Sequence, residues 1–404
     1  MSSTGAPSGI LRFEEYLDSV LQRVRPLAAV SLPLAAAAGR RLAEAVNAQD
    51  PAPGFTNSAM DGFAVNTADL PGAGEVRLPV SADIPAGRSG TWMPGTAVRI
   101  MTGAPLPEGA NTVIPVEFTD HPSTRAPLPD AVRVPGDWPA DRNVRVAGSD
   151  VRAGEEVLPE GTRLDGAALA ALAGAGLSRV KVWPQVRVGV IVTGDEVVAE
   201  NPGPGQVLDS NSLLIGAGIE QFGGALTRAH TSSDDPEEFD RILTRTAGEV
   251  DLLLTTGGAS VGAHDVARHV LSARGVNFAS VGIQPAKPQG FGVIDGVPVA
   301  ALPGNPGAVH TSLHVIVRPV LAALGHLLLP APEAMVVTEG WQARAGMRQF
   351  VPVRIDGNQI TPVIPGGVAA HRVRSLALAE GLASVAPEVT EVKPGDLLPV
   401  IRTR

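Results

Sequence analysis

Between residues 184 and 328 the chain alternates short, continuously apolar runs with longer stretches of helical spacing, and no other feature limits its fold as much. The runs VRVGVIV (186–192), VDLLLT (250–255) and VPVAAL (297–302) lack the polar–apolar alternation of a half-exposed strand. Strands covered on both faces of a parallel sheet read this way. Between them, SNSLLIGAGIEQFG, DPEEFDRILTRTAG, HDVARHVLSARG and PGAVHTSLHVIVRPVLAAL carry the spacing of helices. The pattern predicts a doubly wound, mostly parallel α/β sheet.

In such a sheet the ligand lies beyond the carboxyl ends of the strands, and three loops fall there. They are Thr193-Gly194-Asp195-Glu196, Thr256-Gly257-Gly258-Ala259-Ser260-Val261-Gly262 and Pro303-Gly304-Asn305-Pro306. Glycines let backbone approach a ligand, hydroxyls bind its oxygens, and a strand–turn–helix junction aims N–H groups at an anion. Two such turns, DLLLTTGGASVGAHD and LPGNPGAVHTSL, imply a crevice for a large phosphate-bearing ligand. Glu196 and Asp265 place carboxylates beside that anion, which calls for a divalent cation such as Mg²⁺ between them. Asp265 serves equally as a cap for the helix that follows. Asp234 and Asp235 are read as caps of the DPEEF helix ahead of metal ligands, and His264 receives no role. HExxH, a serine nucleophile elbow and a lysine-bearing phosphate loop are all missing from the sequence.

Composition removes further classes. Without cysteine there are no disulfides, thiolate metal sites or cysteine nucleophiles. A net charge of −9 with 9 Phe, 4 Trp and 1 Tyr argues against general nucleic-acid binding. The N-terminus shows no signal-peptide pattern, and no apolar run approaches the ~20 residues of a membrane span. The expectation is a cytoplasmic protein that engages neither nucleic acid nor membrane.

Outside the α/β region, residues 10–50 have helical spacing, in RFEEYLDSVLQRV and again in LPLAAAAGRRLAEAV. From about 51 to 146 short strands are broken by Gly and Pro, and after Pro330 and Pro332 the remainder reads as a small β-barrel or sandwich. The expected domains are 8–51 with 146–182 (helical linker), 52–145 (inserted, β-rich), 183–329 (α/β) and 330–404 (C-terminal β-barrel).

The ordered motifs NSAMDGFAV, RIMTGAPLPEGANTVIPVE, VIVTGDEVV, LDSNS, TTGGASVGAHD and LPGNP, spread over the whole chain, resemble those of molybdopterin molybdenumtransferases, the MoeA/gephyrin E-domain family. The resemblance implies a homodimer of four-domain subunits. It also implies insertion of molybdate into adenylylated molybdopterin with release of AMP, assisted by Mg²⁺ or another divalent cation. By the same resemblance Asp61, Thr102, Asp150, Glu196, Asp265 and Lys287 are catalytic, and Glu196, Asp234 (or Asp235) and Asp265 hold the metal. Thr193, Gly194, Asp195, Ser212, Thr256, Gly257, Gly258, Ser260, Gly262, Pro303, Gly304, Asn305, Arg348 and Ser375 line the substrate. A molybdopterin adenylyltransferase and molybdenum-enzyme acceptors are the implied partners. The chain departs from the family pattern at Gln284, Ala263, Met347, Ala370 and Arg374, several of them on the molybdate side. Those departures keep open a diverged paralogue that carries molybdopterin or its adenylate without inserting metal. The related adenylylating enzyme would lack the two β-rich domains.

Overall fold

The computed structural model describes residues 9–121, 123, 125–233, 235–257, 266–367 and 373–404. The chain divides into two compact units, Met1–Ala28 with Pro184–Arg404, and Ala29–Trp183.

The larger unit is built on a seven-stranded sheet. In chain order its elements are β1 (Ile10–Leu11), α1 (Phe13–Leu21), β2 (Arg187–Thr193), α2 (Asn211–Gln221), β3 (Ala225–Ser232), α3 (Pro236–Ala247) and β4 (Leu252–Thr256). They continue with α4 (Val266–Ala273), β5 (Asn277–Val281), β6 (Pro288–Ile294), β7 (Val297–Leu302), α5 (Pro306–Ser312) and α6 (Arg318–Gly325). The strand order is β1-β5-β6-β7-β4-β2-β3. All neighbours are parallel except β6, which runs antiparallel to β5 and β7.

Both faces of the sheet are covered, which explains the continuous apolar runs. Val188, Val190, Val192, Leu252 and Leu254 pack with Ile215 and Ile219 of α2 and Val309 of α5. Ile191, Leu253, Val299 and Ala301 point the other way, against Phe239 and Leu243 of α3 and Leu271 of α4. Each fully buried side chain of this kind contributes about 1.5–3 kcal/mol relative to exposure, so either face alone would be a poor fold. Between α5 and α6 the helix widens into a π-turn over Leu313–Val317. Pro319, near the start of α6, has no N–H to donate and its ring would crowd the carbonyl four residues back, so the register loosens just before it. The continuous helix Pro306–Gly325 is long and apolar enough to cross a membrane, yet it is mostly buried inside the fold.

In the same unit, strands Arg348–Asp356, Gln359–Pro362, Glu333–Val337, Leu397–Arg402 and Gly381–Val385 pair in that order, and Arg348–Asp356 pairs again with Gly381–Val385. This closes a small barrel around Met335, Trp341, Val351, Val353, Leu398 and Val400. Helix α1 also belongs to this unit, with Phe13 edge-on to Phe350 at 5.5 Å between ring centroids.

The smaller unit carries a five-stranded sheet in the order Ala131–Pro135, Glu75–Ile84, Ala97–Ile100, Gly62–Val65, Thr112–Pro115. The helix expected over LPLAAAAGRRLAEAV does not form. Val30–Pro33 and Arg41–Leu42 instead flank Arg179–Trp183 as strands, with one short 3₁₀ turn at Leu34–Ala36. Gly39 takes φ +76°, and the N–H groups of Gly39 and Leu42 donate to Leu164 and Thr162 carbonyls. Long-range sheet bonds and the burial of Leu42 with Leu164, Leu172 and Val182 outweigh alanine's helix preference here. The Ala-rich segment after Asp165 is helical as read, over Gly166–Gly174, with the Asp165 carboxylate accepting the Ala168 N–H at 2.9 Å.

Candidate active site

Strands β7, β4 and β2 are adjacent and parallel, so the three glycine loops leave the sheet at one edge. They pack backbone to backbone. Gly257 takes φ +89°, and a methyl group there would run into the Thr193 carbonyl and sit 2.7 Å from its hydroxyl. A Cβ on Gly304 would lie 3.4 Å from the Gly257 Cα. At Gly194, φ +133°, the Glu196 side chain folds back over the turn, 2.5 Å from where a Cβ would stand. Glycine is therefore required at Gly257 by both conformation and space, and favoured at Gly194 by its positive φ.

Polar side chains tie the loops together. Thr256 Oγ1 donates to the Pro303 carbonyl at 2.8 Å, and Asn211 Nδ2 donates to the Gly304 carbonyl at 2.8 Å and to Thr256 Oγ1 at 3.2 Å. Asn305 caps α5, accepting from the Gly307 N–H at 3.2 Å, and Asp209 accepts from the Ser212 N–H at 2.9 Å. Thr193 and Thr256 are buried, Ser212 is half-buried, and Asp195, Glu196, Gly304 and Asn305 are exposed. Gly258, Ser260, Gly262, Ala263 and Asp265 lie outside the described residues, as do Asp234, Ala370 and Arg372. Asp235 is a helix cap, its carboxylate accepting the Glu237 N–H at 3.0 Å. Among the described residues there is no cluster of three His, Asp or Glu placed to hold a metal.

In the smaller unit, strand register creates a second arrangement. Gly62 is paired with both Ile100 and Pro115, and a side chain on it would strike the Ile114 carbonyl. This holds Asp61, just before the strand Gly62–Val65, beside Thr102, whose N–H and hydroxyl both donate to Asp61 Oδ1 at 2.7 Å. Both residues are exposed, so a fixed carboxylate faces outward. Asp150 is also exposed, on a turn anchored by its own N–H to the Ala52 carbonyl at 3.0 Å.

Of the other expected residues, Arg348 is committed elsewhere. Arg348 donates to Glu14 through Nε at 2.9 Å and Nη2 at 2.7 Å, and to Ser384 Oγ through Nη1 at 3.1 Å, so binding an oxyanion would require breaking an ion pair. Ser375 is buried on the helix Val373–Leu378. Lys287 is exposed, its carbonyl accepting the Val281 N–H at 2.7 Å. Gln284 accepts from Gln349 Nε2 at 2.9 Å, and Met347 is buried just ahead of the strand Arg348–Asp356. The motif reading passed over Asn211 as a site residue. A polar residue at the start of a buried helix facing two glycine turns was the signal available.

Three models of this protein class match consecutive parts of the chain: "MoeA N-terminal region (domain I and II)" over residues 11–176, "Probable molybdopterin binding domain" over 189–323, and "MoeA C-terminal region (domain IV)" over 334–402. Molybdopterin molybdenumtransferase 2 of Mycobacterium tuberculosis is 38% identical over 96% of this chain and 98% of its own. The chain belongs to the molybdopterin molybdenumtransferase family. The molybdopterin molybdenumtransferase of Haemophilus influenzae is 35% identical over 72% of each chain. The crystal structure of the molybdopterin biosynthesis MoeA protein from Pyrococcus horikoshii superposes with a TM-score of 0.80 at 27% identity, over 98% of this chain and 99% of that one. The protein is thus a transferase of molybdenum cofactor biosynthesis with the multidomain fold of that family, and the carrier reading is not favoured.

Proposed function

We propose that the enzyme inserts molybdate into adenylylated molybdopterin, with release of AMP. The observation that carries this reading is the convergence of three glycine turns at the carboxyl ends of β7, β4 and β2, where backbone N–H groups and hydroxyls can meet a phosphate-bearing pterin. Asp61, held by Thr102, supplies a fixed carboxylate, and Lys287 supplies an exposed cation for molybdate or the phosphoanhydride. The exposed oxygen donors of Glu196 suit a hard divalent cation, which Asp265 and Asp234 would help to hold. Such an ion, when bound, supplies positive charge against the substrate phosphates.

The working form in this reading is a homodimer, with Asp61 and Thr102 of one subunit serving the cradle of the other. The test is to incubate purified protein with adenylylated molybdopterin, molybdate and Mg²⁺ and measure AMP and active cofactor. Both should form, and their formation should stop on chelation. Substrate that binds without turnover would overturn the enzymatic reading. Mixing Asp61→Asn with Gly257→Ala protein should restore activity when subunits exchange. Mixtures as inactive as their parents would place Asp61 in the service of its own chain.

A further inference from the structure

Asn211 opens α2 and is only 8% exposed, an unusual position for an amide. Its Nδ2 reaches the Gly304 carbonyl at 2.8 Å and Thr256 Oγ1 at 3.2 Å. The Thr256 hydroxyl gives its own proton to the Pro303 carbonyl at 2.8 Å, so toward Asn211 it can only accept. Both groups facing the amide are therefore acceptors, and its orientation is forced: rotating it would set Oδ1 against the Gly304 carbonyl. The consequence is that, among the described residues, Oδ1 is buried with no hydrogen-bond partner.

A buried acceptor left unpaired is costly, and an apolar residue would fill this place without that penalty. The compensating feature is the crosslink. From one helix, Asn211 holds both the end of β4 and the turn after β7, two turns close enough that a Cβ added to Gly304 would touch the Gly257 Cα at 3.4 Å. We propose that Asn211 is a positioning residue of the transferase: it sets the spacing of the Thr256–Gly257 and Pro303–Gly304 turns, and so the alignment of the backbone groups that receive the substrate phosphates. This rests on the function proposed above.

The test uses full-length Asn211→Ala, Thr256→Val and Thr256→Ser, with molybdopterin affinity, KM, kcat and amide exchange at Gly257 and Gly304 measured for each. Asn211→Ala and Thr256→Val should each weaken molybdopterin binding by about tenfold, ~1.4 kcal/mol. The kcat should change by less than about threefold, because the loss is one of ground-state alignment. Thr256→Ser keeps the hydroxyl and should recover most of the affinity that Thr256→Val loses, and the Asn211→Ala/Thr256→Val pair should be no worse than either single change. Exchange at Gly257 and Gly304 should quicken in the free protein.

Unchanged affinity in Asn211→Ala, or Thr256→Ser as weak as Thr256→Val, would overturn the proposal. So would a loss of kcat at constant KM. If Asn211→Ala fails to fold, the two Thr256 variants still decide. If the parent protein binds no molybdopterin, the functional reading fails, and amide exchange alone then settles the role of Asn211.

Discussion

The glycine cradle of the larger unit and the Asp61–Thr102 pair of the smaller one solve the same problem, fixing polar groups for a ligand, by different means. The cradle is made of backbone. Its groups stand where they do because three turns pack without side chains between them, and because buried Thr256 and Asn211 tie the turns together. The Asp61 carboxylate is a side chain on an exposed bend, fixed by two donors from a single neighbour. A backbone site depends on the whole sheet, whereas a side-chain site depends on one local register. The first should break at positions that carry no chemistry, the second only at the residues themselves.

The largest effects should separate these two modes. Gly257→Ala forces a methyl group toward the Thr193 carbonyl and disfavours φ +89°. A misplacement of that order should reduce molybdopterin affinity by roughly 100-fold or more, read by fluorescence titration. Asp61→Asn should do the opposite, lowering kcat by roughly 100-fold while affinity holds, since the amide oxygen still accepts from Thr102 but the charge is gone. If both variants lost affinity alike, the two regions would not differ in the way described. A smaller effect belongs to Thr102: Thr102→Val removes one of two donors and should lower kcat by about tenfold, while Thr102→Ser retains nearly full activity.

The two units should also part company in acid. Burial holds His310 at about 4 and His314 at about 3, below the ordinary 6.5, and their rings lie 4.6 Å apart within the core helix of the larger unit. Around them, Arg318 of α6 and the neighbouring imidazole also oppose charge on His314, and Phe222, just past the end of α2, packs edge-on against it at 5.1 Å. Below 6.5 the unfolded chain takes up protons that the folded one refuses until about 4, so stability falls across that window as pH drops. In the smaller unit, a hydrogen bond from Arg99 lowers the Asp83 carboxyl below its ordinary 3.8. That contribution is present above 3.8 and is lost only as pH falls through the lowered value. Hydrogen exchange at pH 5 against pH 7 should therefore show protection lost first over the Pro306–Gly325 helix, and last over Glu75–Ile84 and Ala97–Ile100. His314→Leu should flatten the dependence, and an unchanged slope would place the acid sensitivity elsewhere.

Much of this was legible in the residues. The doubly wound sheet followed from runs too apolar to be half-exposed, and the loops at its carboxyl edge followed from the topology such a sheet must have. The ordered motifs carried the family, and the comparisons bear it out. Asp235 resolved as a cap because a proline-led helix offers it an N–H two residues on, and no distant partner was needed to decide that. Residues 32–46 were misread because helical spacing is a local signal. The strands that recruited them, Glu156–Leu158 and Arg179–Trp183, lie more than a hundred residues away.

What the sequence determined by itself was the set of elements and the chemistry they carry, because periodicity, glycine and carboxylate placement act over a few residues. Tertiary structure alone decided which polar groups are free to act. Arg348 looked available to an anion until Glu14, more than three hundred residues earlier, proved to hold it. Gln284 looked like a gap in a binding site until Gln349 proved to bond its side chain. Asn211 looked like a helix start until two loops from different strands converged on its amide. In each case the partner comes from a remote part of the chain, and only the packed core fixes that distance.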